Sequence, residues 1–232
     1  MTAVFTEMMH AWIAAEYHRK LTEHYGEQGR NAFLLAVRYY ASQRGRRMAK
    51  RAVRDGQPLT YRTYQEYGEW TPTEEAKQAG ISNRSEILSY APDLITKITV
   101  CPWHAQFAEM GMAEAGEDYC RFLDSSIVQG FNPEIVYEVS QTLHHHDCCI
   151  HTVRNACYEE GESHPKKPGM QKSFEYHCAH SYWSMRHVIE DIFGEEGIKI
   201  AEKILEDMEI TYSPEAADVI RCYEHTDFEK AD

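Results

Sequence analysis

No stretch of this sequence is both apolar and long enough to cross a bilayer. The longest apolar run, residues 32–37, is six residues, against the roughly 20 that a spanning helix needs. Residues 1–20 contain Glu7, His10 and Glu16 and lack a basic start followed by an apolar stretch, so no export signal is expected. Positive charge is scarce: 24 Lys and Arg stand against 37 Asp and Glu, a net charge of −13. Such a surface repels phosphate backbones, so nucleic acid is not an expected partner, and neither is a membrane. CxxC pairs are also missing, which argues against a zinc ribbon or finger. The seven cysteines are an odd number, and without an export signal they read as reduced thiols in a cytoplasmic protein. Against these absences stand 43% apolar residues and 15 tyrosines in 232 residues, enough to build the core of one domain.

The periodicity divides that domain, 1–232, into three parts. Met9, Trp12, Ile13, Tyr17 and Leu21 follow helical spacing up to a turn at Gly26 and Gly29. A second helix, carrying Phe33, Ala36, Val37 and Tyr40, runs from near Asn31 to Arg54 with a break at Gly45, so 1–56 reads as a helical hairpin. The pattern returns near the other end, where Gly194 and Gly197 repeat Gly26 and Gly29 at an offset of 168 residues. These two helix–turn–helix units predict a four-helix layer. Their aromatic stripe (Trp12, Tyr17, Tyr39, Tyr40) suggests self-association into a homo-oligomer.

The middle, 57–157, changes period. Residues 82–85 read as a helix N-cap or a turn. Leu94 to Cys101 is rich in β-branched residues, residues 135–143 alternate, and Cys148 to Arg154 returns after a turn at 144–147. Between these strands a helix is expected from Gly111 to Val128. Residues 158–173 are a polar loop leading to the C-terminal helices, 158–232. The fold class is α+β: helix-rich, with a small antiparallel sheet mid-chain flanked by helical hairpins.

Several residues carry candidate chemistry. Cys101 and His104 lie at the end of the first strand, where Pro102 turns the chain out of the sheet; a thiol activated by an imidazole would be a nucleophile. Cys120 and Asp124 share one face of the central helix. Arg46 or Arg47, in the basic run 44–54, could grip a carboxylate, although such runs are more often solvated helix faces. His144, His145 and His146 fall in a turn whose neighbours point apart, so no metal is expected, nor another cofactor.

The motifs RGRRMAKRA (44–52), GEW (68–70), VCPW (100–103), GEDYCRFLD (116–124), GFNP (130–133) and TLHHHDCC (142–149) occur in this order. Together they resemble the family of L-2-amino-thiazoline-4-carboxylic acid hydrolases over residues 10–155. The chain departs from that pattern at His146, where a glycine is expected before Asp147. The resemblance implies hydrolytic opening of a small carboxylated cyclic amidine to a carbamoyl-cysteine, by water directly or by a thiolate first. Matched to that reaction, Cys101 becomes the nucleophile and His104 its base. Asp124 holds the amidine with Cys120 beside it, Arg46 or Arg47 takes the carboxylate, and Glu69, Trp103, Asn132 and Asp147 line the pocket. A non-catalytic module binding a hydrophobe, haem or a metal, and a hydrolase of another cyclic amide or amidine, remain the alternatives.

Overall fold

The structure, a computed structural model, describes residues 3–231; positions 1, 2 and 232 of the expected outer segments lie outside them. Thr6 caps helix α1 (Glu7–Tyr25) by accepting from the Met9 N–H at 3.3 Å. Gly26, at φ 57°, ends α1 and opens α2 (Glu27–Arg54). Gly29 then passes so close to α1 that a β-carbon there would stand 1.9 Å from the Leu21 carbonyl oxygen. The second unit repeats this geometry. Gly194, also at φ 57°, joins α7 (Phe174–Phe193) to α8 (Glu195–Thr211), and a β-carbon on Gly197 would meet the Ile189 oxygen at 2.2 Å. The offset of 168 residues is therefore structural as well as sequential. Helix α1 packs on α2, α7 and α8, and α2 packs on α7, as a helical layer. Helix α9 (Pro214–Arg221) closes its far side against α7 and α8.

Helix α2 runs unbroken through Gly45. The glycine is needed for close approach, because a β-carbon there would lie 2.0 Å from the Ile127 oxygen of α6 (Ala113–Phe131). Gly130 answers from α6, where a β-carbon would lie 2.5 Å from the Ser42 oxygen. The two helices cross nearly backbone to backbone.

The middle holds short helices α3 (Tyr61–Glu66) and α4 (Glu74–Gln78) and four strands: β1 (Arg84–Ser89), β2 (Leu94–Val100), β3 (Tyr137–Gln141) and β4 (Cys149–Val153). They form one antiparallel sheet in the order β1-β2-β4-β3. Several expectations are corrected here. Arg84 and Ser85 are not a helix cap or a turn; they begin an exposed edge strand, held to β2 by backbone pairing. Directly after β2, Pro102 opens a helix of eight residues, α5 (Pro102–Glu109), at the N1 position that proline tolerates. The strand expected over 135–143 is only Tyr137–Gln141, because Ile135 turns back to the Asn132 carbonyl and a register shift follows Val139.

The aromatic stripe does not form an outer face. Trp12, Tyr17 and Tyr40 are buried within the layer, and Tyr39 alone of the four is exposed. All seven cysteines are free thiols. Among the described residues no helix is long and apolar enough to cross a membrane.

Candidate functional site

The crossing of α2 and α6 opens on one side into a cavity of about 600 Å³. One wall is a stripe on α2, Tyr40, Arg44 and Met48, one turn apart from each other. The facing wall is α6, with Cys120, Leu123, Asp124 and Ile127. The sheet floors it with Ile98, Tyr137, Cys149 and His151, and Cys101 stands where β2 ends. Trp70, Lys166, Phe174 and His177 close it from the loop and the start of α7.

Charge in the cavity is separated. At one end Glu69, fully buried, accepts two hydrogen bonds from Arg47 (2.8 and 2.6 Å) and one from Arg51 (2.7 Å). Arg44 approaches the same carboxylate at 3.7 Å, but its Nε has no hydrogen-bond partner. Arg44, Arg47 and Arg51 thus converge on one carboxylate, and of the three it is Arg44 that lines the cavity. Lys166 joins it: its ammonium donates to the Trp70 carbonyl, and burial, reinforced by Arg44, lowers its pKa to about 8. On the facing wall Asp124 makes no hydrogen bond or ion pair with any described residue.

Two buried polar atoms of residues that line the cavity lack protein partners. The Trp70 indole N–H has none. His177 Nε2 lies 3.3 Å from the Glu69 carbonyl oxygen and donates to it, which leaves Nδ1 as an unpartnered acceptor. Buried polar groups are normally satisfied, and these two atoms are closed to solvent although their residues line the cavity.

Three thiols, Cys101, Cys120 and Cys149, face this space. Burial pushes Cys101 up to about 12, although the backbone N–H groups of Trp103 and His104 at the start of α5 partly oppose it. Burial likewise raises Cys120, with Cys101 and Cys149 adding to it. Cys120 is 3.4 Å from His144 Nε2, but burial lowers that imidazole to about 4, so the pair is neutral. The His144 ring is seated over Gly116, where a β-carbon would come within 2.1 Å of it. Among the described residues no group of three or more His, Cys, Asp or Glu side chains is arranged to hold a metal ion.

The residues singled out in the sequence separate into two sets. Cys101, Trp103, Cys120 and Asp124 line the cavity. His104 does not: its ring packs on His144 with centroids 5.2 Å apart, and only its backbone N–H reaches the Cys101 sulfur. The thiol–imidazole pair at 101 and 104 is therefore not formed. Arg46 points outward to Glu229 at 2.5 Å, and Arg47 is turned inward onto Glu69. Glu69 is enclosed by the arginines and cannot meet a substrate directly. Asn132 ties the chain, donating to the Leu59 carbonyl at 2.8 Å and accepting from the Glu134 N–H. Asp147 is exposed on the loop beside His146, whose φ is not positive, so the departure from glycine there strains nothing and lies away from the cavity. The neighbouring motif acid Asp118 is structural: it holds Arg30 at 2.6 and 2.7 Å and His18 at 3.1 Å.

Residues that sequence reasoning did not select include His10, Tyr40, Arg44, Cys149, Lys166 and His177. Arg44 carried a usable signal, since it continues the buried stripe through Tyr40 by one further turn. Lys166 carried none, as it sits in a polar loop.

The model of the family described as L-2-amino-thiazoline-4-carboxylic acid hydrolase matches residues 5–151. The chain belongs to that family. The matched span includes both long walls of the cavity, with Tyr40, Arg44, Cys120 and Asp124, and all four strands except the last residues of β4. Lys166, Phe174 and His177 lie beyond it. The family is named for a hydrolase. No curated protein and no solved structure matches the chain.

Proposed function

We propose that the cavity opens a small carboxylated cyclic amidine by hydrolysis, with L-2-amino-thiazoline-4-carboxylate as the leading substrate. One observation carries this reading: an unpaired carboxylate, Asp124, and an incompletely bonded guanidinium, Arg44, line the same cavity of about 600 Å³. A ring with a carboxylate at one end and a basic amidine at the other complements that separation of charge. The carboxylate pairs with Arg44 and Lys166, and the amidine N–H groups with Asp124.

Held this way, the amidinium carbon is the electrophile, and Asp124 takes a proton from a water that adds to it. The tetrahedral carbon then carries the exocyclic nitrogen, the ring nitrogen, the ring sulfur and the new oxygen. Sulfur is the better leaving group, because a thiol's pKa of about 8.5 is far below that of an amine or amide N–H. The C–S bond breaks as the new hydroxyl releases its proton to solvent and becomes the carbonyl, the proton taken by Asp124 passes to sulfur, and N-carbamoyl-cysteine results. Water attack is preferred to attack by Cys101, whose thiol is held protonated by burial and has no imidazole beside it.

The test is incubation of purified protein with L-2-amino-thiazoline-4-carboxylate, with products followed by mass and chromatography. Carbamoyl-cysteine should appear, be retained in Cys101→Ser, and fall by at least ~100-fold in Asp124→Asn, as expected for loss of a general base. No product from the folded wild-type protein would overturn the substrate, and undiminished turnover in Asp124→Asn would overturn the role of Asp124.

A further inference from the structure

Tyr40 lies one turn before Arg44 on α2, and both line the cavity. The tyrosine's hydroxyl has one hydrogen-bond partner among the described residues, His10 Nε2 at 3.1 Å. The direction of that bond follows from the other side of the imidazole. An indole N–H can only donate, and Trp103 Nε1 lies 3.0 Å from His10 Nδ1. Nδ1 must therefore present its lone pair. The ring is neutral, since burial, reinforced by Arg44, lowers its pKa to about 3. Its single proton is on Nε2, so His10 donates and the Tyr40 oxygen accepts.

This leaves the Tyr40 proton without an acceptor among the described residues. Burial pushes the phenol up to about 12, so the proton stays on the oxygen. Tyr40 lines the cavity beside Arg44, whose charge acts on the phenol and whose partly exposed guanidinium makes no hydrogen bond with a described residue. Two donors one helical turn apart, both fixed before any ligand arrives, suit the two oxygens of one carboxylate. A carboxamide fits worse, because its NH₂ would face donors. Tyr119, whose hydroxyl is 3.4 Å from the same Nδ1, adds a second, longer contact to the lone pair and strengthens the same orientation.

We infer that Tyr40 donates a hydrogen bond to the ligand's carboxylate beside Arg44, and that His10, oriented by Trp103, is the positioning residue that turns the Tyr40 proton into the cavity. The inference deepens the functional reading above and rests on the cavity being a carboxylate site. It also accounts for the tryptophan of the VCPW motif: its indole N–H is committed to His10 and is not offered to a substrate.

The experiment combines ¹⁵N NMR of the ligand-free protein with calorimetric binding of three probes: L-2-amino-thiazoline-4-carboxylate, its carboxamide, and thiazolidine-4-carboxylate. His10 should appear as the neutral tautomer protonated on Nε2. Tyr40→Phe should raise Kd for both carboxylates roughly 10- to 100-fold, the range for a lost hydrogen bond to a charged group, and leave the carboxamide nearly unchanged. His10→Leu should do the same. His10→Gln, whose amide can donate toward Tyr40 and accept from Trp103, should restore affinity. A proton on Nδ1, or unchanged carboxylate affinity in Tyr40→Phe, would overturn the inference. Equal weakening of carboxylates and carboxamide would reduce Tyr40 to a packing role and overturn it as well. Carboxylates that bind and respond to Tyr40→Phe without ring opening would leave this inference standing and remove the hydrolytic one. If no carboxylate binds the wild-type protein, both fall.

Discussion

Tyr25 stacks on Phe193 with ring centroids 4.0 Å apart and planes 4° from parallel. The two residues end α1 and α7, and each is followed by a glycine in the left-handed region. The two helical hairpins thus meet through equivalent residues at their turns. A double-mutant cycle with Tyr25→Leu and Phe193→Leu should give a coupling of about 0.5–1.5 kcal/mol, the usual worth of an aromatic pair beyond its buried area. Additive losses would mean that the turns touch without supporting each other.

Gly45→Ala should be among the most damaging small substitutions in the chain. The added carbon would meet the Ile127 backbone oxygen at 2.0 Å, so α2 and α6 must separate. A loss of roughly 1–3 kcal/mol in chemical denaturation is expected from such overpacking. Because the same crossing sets the cavity walls, ligand affinity should fall with it. A variant as stable as the wild type would show that the helices can part freely.

Glu69→Gln keeps the shape of the side chain and removes the charge that Arg47 and Arg51 share. Breaking a buried ionic cluster on one side costs about 3–5 kcal/mol. The melting temperature should drop accordingly, with the larger effect at Glu69→Ala. A change no larger than that of an exposed ion pair, below ~1 kcal/mol, would show that water enters the cluster.

Lys166 predicts opposite pH trends for binding and stability. Below pH 8 its ammonium is charged in the folded protein and favours a bound carboxylate; above it the amine is neutral, and affinity should decline. Between about 8 and lysine's ordinary 10.5 the unfolded chain holds a proton that the folded chain has released, so stability should rise with pH. Lys166→Met should remove both slopes. A binding profile that still falls through pH 8 in that variant would assign the titration elsewhere.

The hairpins were legible in the sequence because their causes are local: apolar residues at helical spacing, then two glycines at each turn. Strand β2 was legible from its β-branched residues. Strand β1 was not, since Ile87 and Leu88 lie exposed on an edge and leave no alternation to read. Helix α5 leaves no helical period to read because it begins at a proline immediately after a strand and lasts only eight residues. At the site, Cys120 and Asp124 were readable as one helix face. The basic run is equally plain in the sequence, but which arginine faces inward depends on rotation about α2: Arg44 continues the Tyr40 stripe, Arg46 turns to Glu229, and Arg47 faces Glu69. Lys166 reaches the cavity only because long-range backbone bonds, from the Lys167 N–H to the Glu66 carbonyl and from Lys172 to Glu69, fold its loop over it. No local pattern encodes such bonds.

Arg47 also donates to the Phe228 carbonyl, and Phe228 is buried with its ring stacked on His180, centroids 4.6 Å apart. Most of the stretch from Cys222 to Asp227 that leads to it is exposed. Phe228 therefore works as a latch. A protease nick in that stretch would free a carbonyl that one of the three guanidiniums needs, and the disturbance would pass through Glu69 to Arg44. Clipped protein should keep nearly all its helical circular dichroism while losing affinity for carboxylates, and intact mass should accompany every binding measurement.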